Sequence, residues 1–385
     1  MNLLSIRLST SIFAIFLVIG IYLPFLPTWM EGRGLTAQQV GTIFAVALWV
    51  RIPVGLCLAA ITDATGRRKS VLVAVSLVIL LGFVSFLFID GYWALLFGWL
   101  IVGTLLTSTI PLTDNLVMTS IGERKSDYGR IRLWGSISFI AASILGGMYL
   151  QDRDSETILH LLIAGSVAIV VGALLAPSIQ TPPRTTRKPA LFELLQDRPF
   201  VVFILTAACL QASHAALYGF ASITWKAAGH SEGMIGLLWA EGVVLEVLLF
   251  TFGRSLMARY RAWQVLLLAS VAGIVRWTVL GSTTDLYWLI AAQALHALTF
   301  AGTHLAAVMY IARRIPHDRS ASAQSLYDGL AMGFMFGIAM MLAGWTYESS
   351  TTDAFYVMVV FSALGGIGAI ALGKVQHPSA AHKAR

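Results

Sequence analysis

Charged or titratable residues are rare inside long apolar stretches, and nine of those in this chain are candidates for function. They are Arg51, Asp114, Arg132, Glu241, Glu246, Arg276, His296, His304 and Asp328. A charge at the centre of a bilayer helix costs about 2.5–3.5 kcal/mol on insertion scales, so such residues usually face the protein interior and serve function. The pattern predicts ligand contacts, proton carriers or ion pairs within a membrane.

Arg132 and Asp114 lie on neighbouring apolar stretches and are the first candidates for ligand binding. A guanidinium presents a planar fork of donors that matches a carboxylate. We expect Asp114 to pair with Arg132 until a ligand carboxylate competes for the arginine. Two alternatives stay open: Arg132 could be a cation that reaches the membrane surface, and the pair could be purely structural.

The acidic residues are candidates for proton coupling. Glu241 and Glu246 are five residues apart, about 140° around a helix, so we expect only one of them to face a cavity. We favour Glu246, because burial disfavours its charged form while a neighbouring arginine favours it. Asp114 and Asp328 are further candidate proton carriers. The alternative for Glu246 is a static buried partner.

His296 and His304 lie eight residues apart, on roughly one helix face, with Phe300 between them. Imidazole titrates in the useful range, so the histidines and Phe300 are candidate ligand contacts or, for the imidazoles, proton relays. The alternative is that both histidines are hydrogen-bonded packing residues. No thiol or acidic cluster accompanies them, so we expect no metal site and no cofactor.

Composition identifies the elements that must position these residues. Of the 385 residues, 57% are hydrophobic and 12% are charged, against about 45–50% and 25% in soluble domains. A soluble domain with so little charge could not cover its surface, and a disordered chain would show the opposite balance. We therefore expect an integral, all-α membrane protein, with Cys57 and Cys209 as small buried hydrophobic residues.

The apolar stretches predict twelve transmembrane helices, each near the length of roughly 20 residues that spans a bilayer. The predicted ranges are 8–30, 37–62, 69–89, 92–120, 128–150, 156–176, 199–226, 232–257, 262–282, 286–312, 319–346 and 353–374. The longest polar stretch follows the sixth helix. We expect a six-helix bundle at 1–176, a cytoplasmic linker at 177–198, and a second six-helix bundle at 199–385 that ends in a short cytoplasmic tail.

Most of the 26 Lys and Arg residues lie in alternate loops, on the side that also holds both termini. By the positive-inside rule, both termini are expected to be cytoplasmic. Because these cations are scattered among short loops, the net charge of +7 does not indicate a nucleic-acid partner. The first apolar stretch is too long for a cleaved signal peptide.

The two halves also repeat one another. A shift of 195 residues aligns the motif Asp90, Tyr92 and Trp93 with Asp285, Tyr287 and Trp288. Parallel repeats of six helices are one plan of secondary transporters, with the ligand site near the midplane.

The loop after the second predicted helix contains Asp63, Gly66 and Arg67, followed by two more cations. It resembles the signature loop of the major facilitator superfamily, which implies a role for these residues in conformational change. In that fold the second helix meets the eleventh and the fifth meets the eighth. The resemblance therefore implies two ion pairs, Arg51 with Asp328 and Arg132 with Glu246.

A second resemblance spans the fourth and fifth helices. Pro111, Asp114 and the segment Gly129-Arg130-Ile131-Arg132-Leu133-Trp134-Gly135 follow the order found in the lactose permease family. It implies that Asp114 and Arg132 bind substrate and that Arg276 matches an intramembrane arginine. Phe139 replaces the tryptophan that stacks on sugar there, so it is a candidate contact for a different ring.

The chain is most similar overall to the phenylpropionate permease family, through Tyr128–Ser136, Leu295-His296-Ala297, His304 and Glu246. The resemblance implies proton-coupled uptake of a small aromatic carboxylate such as 3-phenylpropionate by a monomer in the cell inner or plasma membrane. Nucleoside or sugar symport and proton-coupled export are alternatives of the same class. A polytopic sensor or enzyme is the alternative from another class. We expect no enzyme, because no nucleophile or nucleotide motif is visible.

Overall fold

The structure is a computed structural model that describes residues 3–122, 127–179, 191–253 and 259–376. The described residues contain twelve helices of membrane-spanning length and apolarity, as predicted. They are α1 Leu3–Gly32, α2 Ala37–Thr65, α3 Arg68–Ser85, α4 Tyr92–Ile121, α5 Tyr128–Leu150, α6 Glu156–Leu175, α7 Arg198–Ala227, α8 Glu232–Gly253, α9 Ala262–Ser282, α10 Leu286–Arg314, α11 Arg319–Ser349 and α12 Asp353–Val375.

The predicted linker is described only at its two ends. Residues 180–190, and the tail beyond residue 376, lie outside the described residues. At the end of the linker, a short helix at Leu191–Gln196 precedes α7. Its Glu193 carboxylate lies 2.6 Å from Arg319, so an ion pair connects this helix to the beginning of α11.

Helix α3 ends four residues earlier than predicted. The chain turns after Ser85. The guanidinium of Arg33 donates hydrogen bonds to the carbonyl oxygens of Phe86 at 3.4 Å and of Ile89 at 3.2 Å. Arg33 also binds the carboxylate of Glu156. That hydrogen bond is the main reason why the pKa of Arg33 is raised above its ordinary value. Arg33 therefore stays charged and holds the ends of α1, α3 and α6 together.

Three helices of the second half contain wide, π-helical turns, at Leu249–Gly253 in α8, Ala297–Gly302 in α10 and Asp328–Met335 in α11. Helix α7 is also interrupted, between Ala212 and Ala215. Such turns place an extra residue in the helix and often occur at functional sites.

The contacts divide the chain into two compact units. The first contains α1–α6 together with Ser222–Ala240. Helix α1 packs closely on α5, because a Cβ at Gly20 would come within 2.7 Å of the Phe139 carbonyl oxygen. Ser143 on α5 then donates a hydrogen bond to the carbonyl of Gly20 at 3.0 Å. Small residues at such crossings let membrane helices approach to backbone contact.

The segment Ser222–Ala240 packs on α5 in the same way. Gly147 faces the carbonyl oxygen of Glu232, and Gly236 faces that of Ser143, with no room for a Cβ at either glycine. Lys226 forms an ion pair with Glu232 at 2.9 Å. These contacts fix the end of α7 and the beginning of α8 within the first unit.

The second unit contains the rest of α7 and α8 together with α9–α12. Ser270 on α9 donates to the carbonyl of Ser362 on α12 at 2.7 Å. The rings of Phe203 and Tyr310 stack with centroids 3.9 Å apart. The prediction that both cysteines are buried is wrong, because Cys57 is exposed on α2 and Cys209 on α7 is only partly buried.

Candidate functional site

The second unit holds a buried polar network around Arg276 of α9, which is wholly buried. Its Nη1 donates to His296 Nδ1 at 3.1 Å and to Thr299 Oγ1 at 2.9 Å, and its Nη2 donates to Gln293 Oε1 at 2.7 Å. All three acceptors are uncharged groups of α10. The guanidinium also lies 4.5 Å from the ring of Trp277.

The Nε donor of this guanidinium is left over. Arg276 Nε has no hydrogen-bond partner among the described residues. A buried donor without a partner costs free energy, and a buried cation normally has an anion beside it. Glu241 of α8 exerts an electrostatic attraction on Arg276. This attraction offsets part of the cost of burying the cation.

His296 connects this network to the acid favoured by the sequence. Its Nε2 lies 3.7 Å from Glu246 Oε2. Its ring stacks on Phe300, with centroids 5.3 Å apart and an interplanar angle of 8°. On α8, a Cβ at Gly242 would lie 3.3 Å from the ring, so the glycine lets the helix approach. Three predicted residues, His296, Phe300 and Glu246, thus come together.

His214 belongs to the same network, although the sequence analysis did not select it. It is wholly buried at the interruption of α7. Its Nε2 lies 3.0 Å from Thr299 Oγ1, and its Nδ1 lies 3.1 Å from the carbonyl oxygen of Gln211. A titratable residue in an apolar stretch is the signal that identified the other histidines, and it was present here too.

A branch of the network leads to His304. Gln211 donates to the Tyr327 hydroxyl at 3.0 Å, and that hydroxyl lies 3.4 Å from His304 Nδ1. Asp328 and Glu246 both lie close enough to attract a charge on His304. Asp328 follows Tyr327 in the sequence and is the first residue of the wide turn of α11.

The first unit holds the predicted pair Asp114 and Arg132, whose charges attract each other. The Tyr128 hydroxyl lies close enough to interact with both side chains. The guanidinium of Arg132 also lies over the ring of Phe16, 4.2 Å from its centroid. The sequence pointed to Tyr128 only as part of a motif, because its residue type alone gives no sign of these contacts.

Phe139 and Arg51 lie elsewhere in the first unit. Phe139 is buried where α5 packs against α1, with its carbonyl oxygen against Gly20. Arg51 on α2 interacts electrostatically with Tyr22, whose ring lies 5.7 Å from that of Trp99.

The signature-like loop joins α2 to α3. Gly66 ends α2 with φ of 64°, a conformation that favours glycine. Arg68, rather than the predicted Arg67, makes the contacts: its Nη2 lies 3.6 Å from Asp63, and its Nε donates to Asn115 of α4 at 2.6 Å. Arg68 is mostly buried, so its aliphatic part packs as well.

Across the described ranges, no group of three or more His, Cys, Asp or Glu side chains is arranged to hold a metal ion. In the first unit, a cavity of about 250 Å³ is lined by Ile6, Ser9, Thr10, Phe13 and Trp134.

Comparison with known proteins agrees with this architecture. Residues 5–358 match the model of the MFS_1 like family. The chain is 35% identical over 362 residues to a probable 3-phenylpropionic acid transporter of Escherichia coli (strain K12), covering 92% of this chain and 94% of that one. It is 22% identical over 361 residues to a maltose permease of Geobacillus stearothermophilus, covering 92% and 91%.

Among solved structures, the crystal structure of the nucleoside transporter NupG superposes with a TM-score of 0.83 at 17% identity. The match covers 97% of this chain and 98% of that one. At this identity the likeness concerns the fold. These relatives are transporters and not enzymes. With twelve membrane-length helices and a family match over most of its length, the chain belongs to the MFS_1 like family of the major facilitator superfamily and is a multi-pass membrane transporter.

Proposed function

We propose that the protein takes up a small aromatic carboxylate, such as 3-phenylpropionate, together with protons. The observation that carries the proposal is the 35% identity, over 92% of the chain, to a relative named as a probable 3-phenylpropionic acid transporter. Two clusters support it. Each combines an arginine with acids and hydrogen-bonding groups suited to anion binding and proton exchange.

The carboxylate of the substrate binds Arg132 in this proposal. Asp114 and Arg132 attract each other, and the Tyr128 hydroxyl interacts with both side chains. A proton on Asp114 removes the negative charge of the carboxylate, so Asp114 attracts Arg132 less strongly. The guanidinium then offers its paired donors to the substrate carboxylate, in the bidentate geometry that arginine favours.

Proton coupling uses the acids of both clusters. Glu246 faces the imidazole of His296 at 3.7 Å, and Asp328 lies beside His304. In each pair, a proton on one group changes the attraction that the other feels. Asp114 performs the same role beside Arg132.

The driving force follows from charge. A monoanion that moves with one proton carries no net charge, so the membrane potential does no work on it. Only the proton concentration gradient drives uptake, and one pH unit corresponds to about 1.4 kcal/mol, or tenfold accumulation. More than one proton per anion would add about 2.3 kcal/mol for each extra charge at 100 mV.

We further propose a cell inner or plasma membrane location with both termini cytoplasmic, because most cations lie in the loops on that side. The polypeptide acts as a monomer of two six-helix bundles, 1–176 and 199–385. Asp63, Gly66 and Arg67, together with Arg68, brace the loop between α2 and α3 during conformational change, and Arg51 takes part on α2.

The test is uptake of labelled 3-phenylpropionate into proteoliposomes with an inward-directed proton gradient. Protein-free liposomes correct for the neutral acid, which crosses lipid unaided. We expect accumulation that a protonophore abolishes, with no accumulation of uridine or lactose. Arg132→Gln should abolish uptake, whereas Arg132→Lys keeps the charge and retains part of it. Accumulation of uridine or lactose in place of the acid would overturn the proposed substrate, and net efflux would overturn the direction.

A further inference from the structure

The contact between Arg276 and His296 fixes where the proton of this imidazole lies. A guanidinium has only donors, and it stays protonated in proteins. Because Arg276 Nη1 donates to His296 Nδ1 at 3.1 Å, Nδ1 must be the unprotonated, accepting nitrogen. The neutral ring then carries its proton on Nε2, the nitrogen that faces Glu246 at 3.7 Å.

The same reasoning assigns the neighbouring groups. His214 Nδ1 faces the carbonyl oxygen of Gln211, so it donates, and Nε2 of the neutral ring accepts from the Thr299 hydroxyl. Thr299 in turn accepts from Arg276. The hydroxyl also lies 3.2 Å from the carbonyl oxygen of Leu295, but donation there would require a doubly protonated, cationic His214 beside Arg276.

In this assignment, a proton and the Arg276 N–H group compete for the lone pair of His296 Nδ1. His296 Nδ1 can hold a hydrogen bond from Arg276 or it can hold a proton, but it cannot hold both. We propose that His296 is the proton-accepting residue of the transport cycle and that its protonation at Nδ1 releases Arg276. This inference rests on the proposed proton-coupled uptake, and it assigns the coupling proton to a specific atom.

Several titratable groups surround Arg276 and His296. The titratable groups that face the pair are His214 and Tyr218 on α7, and Glu241 and Glu246 on α8. A proton that binds Nδ1 makes an imidazolium whose Nε2–H points at Glu246. Arg276 then loses one acceptor beside its unpartnered Nε, and two adjacent cations repel each other. The guanidinium is drawn toward Glu241.

Coupling to substrate follows by linkage. If the released state binds the aromatic carboxylate more tightly, then protons raise the affinity for substrate and substrate raises the affinity for protons by the same factor. The variant His296→Asn tests this, because an Asn Oδ1 can accept from Arg276 near the position of Nδ1 but cannot be protonated. His160→Asn is the matched control, since His160 is exposed on α6 and lies in neither cluster.

The experiment measures binding of 3-phenylpropionate to the purified full-length protein between pH 5.5 and 8.5. We expect the affinity of the unmodified protein and of His160→Asn to fall about tenfold per pH unit for each linked proton. His296→Asn should lose the part of this pH dependence that comes from His296, so its affinity should fall less steeply. A pH dependence in His296→Asn as steep as that of the unmodified protein would overturn the proposal and assign the linked proton to another group, such as Glu246 or Asp114.

A second measurement needs no substrate. In ¹⁵N-histidine NMR of the unmodified protein in nanodiscs, the signals missing from His296→Asn or His296→Gln belong to His296. We expect an unprotonated Nδ1 at high pH that becomes protonated on acidification. An Nδ1–H tautomer, or a ring that never titrates, would overturn the assignment. If the unmodified protein binds no aromatic acid, the proposed function fails, and the NMR result still decides the role of His296.

Discussion

Replacing Thr299 by Val tests whether the buried network stabilises the second unit. Valine has almost the shape of threonine but lacks the hydroxyl, which accepts from Arg276 Nη1 at 2.9 Å and lies 3.0 Å from His214 Nε2. Thr299 is buried, so water cannot replace the lost partner. Thr299→Ser is the matched control, because it keeps the hydroxyl and removes only a methyl group.

The magnitude follows from the two contacts. Hydrogen bonds within membranes contribute about 0.6–1.7 kcal/mol each to stability. A hydrogen bond to a charged group contributes more to stability than one between neutral groups. We therefore expect Thr299→Val to lower the free energy of unfolding by about 2–4 kcal/mol. Thr299→Ser should lose about 1 kcal/mol, the value of one buried methyl group.

The assay is unfolding of the purified protein in mixed micelles of increasing SDS content, followed by tryptophan fluorescence. Trp277 lies against both Arg276 and His214, so it reports on this region. If Thr299→Val were as stable as Thr299→Ser within about 0.5 kcal/mol, the hydroxyl would have no role in holding Arg276, and the reasoning on hydrogen-bond partners would be refuted.

Three further predictions concern the first unit, each measured by the same unfolding assay. Arg33→Gln should lower the free energy of unfolding by about 1–2 kcal/mol, which is less than the loss of a buried ion pair, because the partners of Arg33 are partly exposed. An unchanged free energy of unfolding would show that the cluster is only a surface contact. Gly236→Ala should cost about 1–3 kcal/mol by overpacking against α5, whereas Gly233→Ala, whose Cβ has ordinary contacts at 3.6 Å, should be neutral; equal effects would contradict the close-packing argument. Arg68→Lys and Asn115→Ala should each cost about 1 kcal/mol, and the double variant should cost little more; full additivity would show that the two side chains do not interact.

Much of the fold follows from apolarity alone. The twelve helices lie where the apolar stretches predict them, because a membrane admits no other arrangement for such segments. The end of α3 could not be predicted in this way, since it depends on Arg33 capturing carbonyl groups from another part of the chain. The wide turns and the interruption of α7 were missed for a related reason: their residues are equally compatible with a regular α-helix.

The candidate site was predictable in part. Arg276, His296 and Glu246 stood out because charge is costly in a membrane, and the structure brings them together. Thr299 and Tyr128 did not stand out, since hydroxyl groups are common in such helices and only their contacts distinguish them. Whether Arg132 and Arg276 contact substrate stays a prediction.

The most direct test of the central claim is proton movement on addition of substrate. Proteoliposomes in weak buffer, with the membrane potential clamped by potassium and valinomycin, receive 3-phenylpropionate while the external pH is recorded. Coupled entry of one anion with one proton predicts a rise in external pH that exceeds that of protein-free liposomes and does not change with the clamped potential. Uptake of the acid without this rise, or acidification of the medium, would contradict proton symport.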